Sequence, residues 1–202
     1  RLRAALIVLQ VAIALVVSIG SALLLRTARN LDDVHPGFDA HGVTIAWTQL
    51  PFARYDDQAA VAFYARLAAS VAQVPSVDAV GLAAQVPLGS GETLEQAFRS
   101  EGQARTLSLP VNVVDDGYFV AMGIPLLAGR GFRPIEPDRT ADIVISQGAA
   151  ATHFGDPGGV AALGKRLTLA PAGPTYTVVG VVGDVRQHDL ARAPSAAAYR
   201  PQ

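Results

Sequence analysis

Residues Ala4 to Leu25 run for 22 positions without a formal charge, and their only polar members besides Gly20 are Gln10, Ser18 and Ser21. A helix of that length rises roughly 33 Å, enough to cross a hydrocarbon core of about 30 Å. Arg1 and Arg3 stand before the run, and Arg26 and Arg29 after it. The pattern predicts a membrane span. A secretory signal peptide has a shorter apolar core and a small-residue cleavage site, whereas Leu23-Leu24-Leu25-Arg26 is a poor one. A core helix buried on every side would need a larger domain than this chain offers. Ala14, Ser18 and Ala22 recur every fourth residue and share one face, where a second helix could approach closely. With two arginines on each side, the positive-inside rule assigns no orientation. Helical character is expected to continue through Thr27, Leu31 and Val34 as a stalk, until His35-Pro36-Gly37 breaks it.

Beyond Pro36 the pattern is that of a water-soluble domain. Gly42 to Leu50 reads as a strand, with β-branched and aromatic residues in partial alternation. Asp56 is placed to cap a helix whose stripe is Ala60, Phe63, Tyr64, Leu67, Val71 and Val74, ended by Pro75. Val77 to Val86 reads as a second strand, giving a βαβ-like unit. Leu88 to Gly102 reads as loop, and Leu107 to Val114 as a strand. Asp116 is expected to cap a short helix through Phe119 and Met122, ended by Gly123. Ile143 to Ser146 predicts a buried strand, Gln147 to Phe154 a helix, and Gly155 to Gly159 its turn. Leu167 to Leu169 and Tyr176 to Val182 predict strands, the second buried on both faces. The expected fold class is α+β, a transmembrane helix followed by a mixed α/β domain of two lobes.

Charge and composition narrow the chemistry. Of the 16 Lys and Arg in 202 residues, all but Arg1 and Arg3 follow the apolar run, against all 17 Asp and Glu, so the remainder carries a formal balance of −3. No basic run exists to hold nucleic acid. The absence of cysteine excludes disulfides, thiolate metal sites and a cysteine nucleophile, and it fits either redox compartment. Gly180-Val-Val-Gly183-Asp184 lacks the spacing of a phosphate-binding loop and reads as glycines allowing close backbone approach within a strand. His35, His41, His153 and His188 are scattered, without metal-ligand spacing. The aspartate pairs 32–33, 56–57 and 115–116 lie at helix boundaries. Ser90 and Ser146 lack a nucleophile-elbow context, and Gly164-Lys165-Arg166 reads as a turn. No catalytic residue, metal or cofactor is expected.

Several segments, in order, resemble the extracytoplasmic core domain of MacB-like and FtsX-like ABC transporter permeases. Arg1 to Gln10 is similar to the first helix of a permease repeat. Asp116-Gly-Tyr-Phe119, Met122-Gly-Ile-Pro-Leu126 and Gly129-Arg-Gly-Phe132 resemble the family's "YF…GIPL…GR.F" stretch. Leu163-Gly-Lys-Arg-Leu167 and Tyr176 to Val185 resemble its "IGKRL" and "VVGVVGDV" stretches, with weaker echoes at Pro51 to Tyr55, Tyr199 and Pro201. Ser146-Gln147 departs from the usual Asn-Glu, and Gly155 to Leu163 is lengthened. The resemblance implies a helix with its N-terminus in the cytosol and an outer domain divided at about residues 87 and 160. Residues 36–87 with about 160–202 would form a porter-like lobe, and about 88–160 an inserted one. It also implies an inner-membrane location, an ABC ATPase subunit or domain, lipid around the helix, and a homodimer or pseudo-dimer of permease repeats. A periplasmic adaptor is a further expected partner. The opening at Arg1 and the end at Gln202 suggest a piece of a longer polypeptide. Two rival readings are a membrane-tethered binding or sensor domain without an ATPase, and an anchored hydrolase using His153 or His188 with Asp184 or Asp189.

Overall fold

The computed structural model describes residues 2–32, 34–51, 55–89, 93–101, 106–133, 140–187 and 189–201. The chain divides into two units, Arg1–His35 and Pro36–Gln202. The first is the helix α1 (Leu2–Asp32). Within it Ala5–Arg29 is apolar and long enough to cross a membrane, and none of its most apolar stretch is buried in the protein. Leu24 is 74% exposed and Val16 71%, a distribution that water would penalise and a lipid interior would not.

The second unit is built on one sheet. Its elements are α2 (Asp57–Val71), β1 (Leu94–Ser100), β2 (Thr106–Val114), α3 (Gly117–Ala121), β3 (Leu126–Gly129), β4 (Ala141–Ser146), α4 (Gln147–Phe154), β5 (Arg166–Leu169), β6 (Thr175–Val182) and β7 (Ala198–Pro201). The strand order is β3-β6-β4-β7-β2-β1-β5, and β5 also pairs with β6. Strand β4 runs parallel along one edge of β6 from Tyr176 to Val182, and its register skips Val179. The other edge is shared. Antiparallel β5 takes residues 175–177 and antiparallel β3 takes 180–182. The sheet thereby closes into a six-stranded barrel, β6-β4-β7-β2-β1-β5, with β3 attached outside the ring. A one-residue irregularity in β6 supplies the added bend that closure needs. At the β1–β5 seam, the Arg166 guanidinium bonds the Glu101 carboxylate twice, at 2.8 Å each. Arg166 holds the Glu101 carboxyl below the usual carboxylate range.

Alternation along the strands sorts the core into two layers. Phe98, Leu107, Leu109, Ile143, Ile145, Leu167, Val178 and Ala198 form one cluster, joined by Ala149 and Ala150 of α4. Residues of the opposite parity, Val114, Val144 and Tyr199, form the second with Val182, Tyr118, Phe119, Met122 and Ile124.

The strands over 106–114, 141–146, 166–169 and 175–182, and the helices starting at 57, 117 and 147, agree with their sequence patterns. The Asp56 carboxylate accepts the Ala59 N–H at 2.7 Å, as expected of a cap. Asp116 does not cap α3 with its side chain; its carboxylate accepts the Phe132 N–H at 3.0 Å instead. The βαβ unit is not formed. Residues 42–50 form no strand, with Trp47 68% exposed, because no neighbouring strand among the described residues offers them a ladder. The expected strand over 77–86 reduces to one bridge, Ala83 to Val114. Strand β1 covers β2 only as far as Val111, so the vacant side further on is met by residues 82–84, with Ala84 N donating to Val113 O at 2.8 Å. The Asn112 side chain then replaces a backbone partner, bonding both the N–H and the C=O of Gln85. The expected loop over 88–102 contains β1, and β3 and β7 also lacked a sequence signal.

Ile145 is fully buried in the barrel interior. Ile145→Ala is expected to destabilise the chain by about 2–5 kcal/mol through lost transfer energy and a residual cavity, which denaturant unfolding in detergent would measure.

Candidate functional site

The segments singled out by their motifs meet on the outer layer of the barrel. Tyr118 and Phe119 of α3 are buried and both face Tyr199, at ring-centroid distances of 6.2 Å and 5.2 Å. Phe119 also contacts Phe132, at 5.9 Å. Four aromatic rings separated by up to 81 positions thus hold α3, the segment after β3 and β7 together, and the edge-to-face pair of Phe119 with Tyr199 adds to simple area burial. Burial pushes the Tyr118 phenol well above its ordinary value, and that of Tyr199 likewise. Neither has the shifted-down pKa of an acid–base catalyst working near neutrality.

Arg130 spans from this layer to the start of β4. Its guanidinium meets the Asp142 carboxylate at 2.7 Å and 3.2 Å, and the Arg133 N–H donates to the same carboxylate at 2.9 Å. The Asp142 side chain is 4% exposed and that of Arg130 35%. The pair ties the chain after β3 to β4, a role its fork geometry suits. Arg130 was legible as part of a motif; Asp142 carried no sequence signal, because a single aspartate at a strand start looks like any other.

The other candidates resolve as structural parts. At Gly180 an added Cβ would lie 2.3 Å from the Arg130 carbonyl oxygen, so this glycine permits the close approach of the two backbones. The Ser146 hydroxyl is buried and accepts the N–H groups of Ala149 and Ala197, at 3.3 Å and 3.0 Å; it caps α4 and pins β7. The Asp184 carboxylate accepts the Gly148 N–H at 2.6 Å, across 36 positions. His41 sits beside Asp39 at 2.9 Å on an exposed turn, and His153 lies in the last turn of α4. His188 and Ser90 lie outside the described residues. Among the described residues, no three histidine, aspartate or glutamate side chains converge on a point where a metal could sit. Ala14, Ser18 and Ala22 are exposed on α1. The geometry joins strands to helices, and among the described residues it does not assemble a nucleophile, a base and an oxyanion donor set.

With this arrangement established, the comparisons decide the family. The MacB-like periplasmic core domain family matches residues 4–201. The chain belongs to that family. It carries the core domain of MacB-like ABC transporter permeases behind an N-terminal apolar helix. Among solved structures, it is similar to a domain of a protein described as a permease from Porphyromonas gingivalis, at 21% identity and a TM-score of 0.44. It is also similar to the periplasmic region of MacB from Actinobacillus actinomycetemcomitans, at 15% identity and a TM-score of 0.42. A third is the extracellular domain of the noncanonic ABC-type transporter YknZ from Gram-positive bacteria, at 18% identity and a TM-score of 0.42. Each similarity covers 66% of this chain, and 54%, 52% and 59% of those chains respectively. The chain thus spans little more than half of their lengths. No curated protein matches it.

Two predictions follow from the polar contacts of this layer. Arg130→Met would remove the guanidinium that bonds the buried Asp142 carboxylate twice and is expected to cost about 3 kcal/mol in an unfolding titration. Asp115 is half-buried, and desolvation raises its carboxyl pKa above the usual range although its oxygen accepts the Leu82 N–H at 2.8 Å. A carboxyl whose folded-state pKa exceeds its unfolded one opposes folding at neutral pH, and the penalty disappears as pH falls through the folded pKa towards the unfolded one. Asp115→Asn keeps an accepting oxygen without the charge. It should be more stable than the native chain at pH 7, with the gap closing at acidic pH in thermal melts.

Proposed function

We propose that this chain is a non-catalytic part of an ABC-type permease, in which cytosolic ATP hydrolysis is coupled to movement of the domain outside the membrane. The observation that carries the reading is the order of parts: an unburied apolar helix of membrane-spanning length, Ala5–Arg29, lies at the start of a MacB-like periplasmic core domain. The inventory of the outer layer supports it, since its polar groups are spent on holding elements together. In this reading α1 places its N-terminus in the cytosol of a cell whose inner membrane it spans, with lipid around it and Pro36–Gln202 outside. The ATPase is a separate subunit or a fused domain, and the permease acts as a homodimer or as a pseudo-dimer of repeats. Ala14, Ser18 and Ala22 form the face against which another membrane helix packs. A periplasmic adaptor and a two-lobed outer domain, divided near residues 87 and 160, belong to the same proposal. The lobe division rests on the family resemblance, since the barrel joins strands from both sides of residue 160.

The chain has no cysteine, so single introduced thiols report position without a background. In intact cells, Ala69→Cys on α2 is expected to react with a membrane-impermeant maleimide, and Arg3→Cys only after permeabilisation. Purification in mild detergent is expected to retain an ABC ATPase. The reverse labelling pattern would overturn the topology, and an anchored chain that never retains an ATPase would favour a tethered sensor.

A further inference from the structure

The first eight residues after His35, Pro36 to Val43, are bonded into the barrel domain at two separate places. The Pro36 carbonyl accepts the Arg186 N–H at 2.9 Å, and the Asp39 N–H donates to the Met122 carbonyl at 2.9 Å. Between them Gly37 has φ +88°, and a Cβ there would stand 1.9 Å from the Asp184 carbonyl oxygen, so only glycine fits. Phe38 and Val43 pack against the aromatic layer. The Asp39 carboxylate accepts the His41 N–H at 2.9 Å and closes the turn between them. Past this point residues 44–49 are exposed, and the Tyr64 hydroxyl donates to the Thr48 carbonyl at 3.3 Å.

Both anchor points lie on parts that are packed or bonded into the domain. Met122 is the C-cap of α3, the helix whose Tyr118 and Phe119 grip Tyr199 of β7. Asp184 and Arg186 follow β6, and the Asp184 carboxylate holds the first turn of α4 through the Gly148 N–H. Proline fixes φ at Pro36 and restricts the residue before it, which removes slack where the segment begins. A flexible linker absorbs displacement, whereas a short segment bonded at both ends passes it on.

We infer that residues 36–43 form a strap, the mechanical input through which displacement of the membrane helix reaches α3 and the β6–α4 junction. The strap rests on the transmission reading proposed above and specifies its first step within the outer domain. Displacement at Pro36 loads the Arg186 and Met122 bonds together, and Asp184 relays it to α4 because its backbone abuts Gly37 while its carboxylate holds Gly148.

The test uses the full-length permease with its ATPase in membrane vesicles, carrying Val120→Cys on α3, a position 73% exposed, as a maleimide reporter. The native strap is expected to give a labelling rate that changes when ATP is hydrolysed. A Gly-Ser-Gly-Ser insertion between His35 and Pro36 leaves every strap contact in place but introduces slack; with it, the rates with and without ATP should become equal. Gly37→Val, which breaks the fit against Asp184, should do the same. Gly159→Ala is the control, because it crowds Val181 at 2.7 Å away from the strap; it should lower thermal stability yet keep the ATP dependence. Persistence of the ATP effect in both the insertion and Gly37→Val would overturn the strap and leave the transmission reading standing. No ATP effect with the native strap would overturn the transmission reading itself.

Discussion

Strand β6 is the element on which the outer domain depends. Its whole length is paired on one edge by β4, and its other edge is divided between β5 and β3. Three strands from different parts of the chain therefore derive their positions from eight residues, Thr175 to Val182. The division is possible because the ladder with β4 skips one residue at Val179, and because Gly180 lets the Arg130 backbone come within contact. Closure pairs each strand of the barrel ring on both sides and leaves β3, attached outside it, with one neighbour among the described residues. It also forces the side chains of each strand into two sets, one filling the barrel and the other available outside it.

The outer set is where the family's motifs gather. A tyrosine–phenylalanine pair, a Gly-Arg-Gly-Phe turn and a tyrosine near the end of the chain are remote in sequence, and they meet because β7 lies between β2 and β4. Asp142 and Arg130 fasten the same region with a pair whose carboxylate is almost fully desolvated. Such a pair contributes little net energy relative to apolar packing, but breaking half of it is costly, so it fixes a unique arrangement.

Much of this was legible in the residues. The apolar run of α1, the alternation of β2, the valine-rich β6 and the Asp56 cap each depend on neighbours within a few positions, where periodicity and local hydrogen bonding decide. The segment over 42–50 shows the limit. Its β-branched residues describe a chain suited to a sheet, yet a strand exists only where a partner presents a free edge, and here none does among the described residues. The short strands β1, β3 and β7 fail in the opposite sense: their four to seven residues carry too little pattern to announce themselves, and they are strands because β2, β4 and β6 offer them ladders.

By itself, the sequence determined the long apolar helix, the absence of thiol chemistry and the family, because length, charge, composition and collinear motifs are properties of the chain. Only the tertiary structure decided that the sheet closes on β6, that Asp142 is the partner of Arg130, and that Asp116 bonds Phe132 and not its own helix. It also decided that residues 36–43 are fastened to α3 and to the segment after β6. Each of these joins groups far apart along the chain, and a long-range contact is fixed by which surfaces folding brings together, a fact that no local pattern encodes.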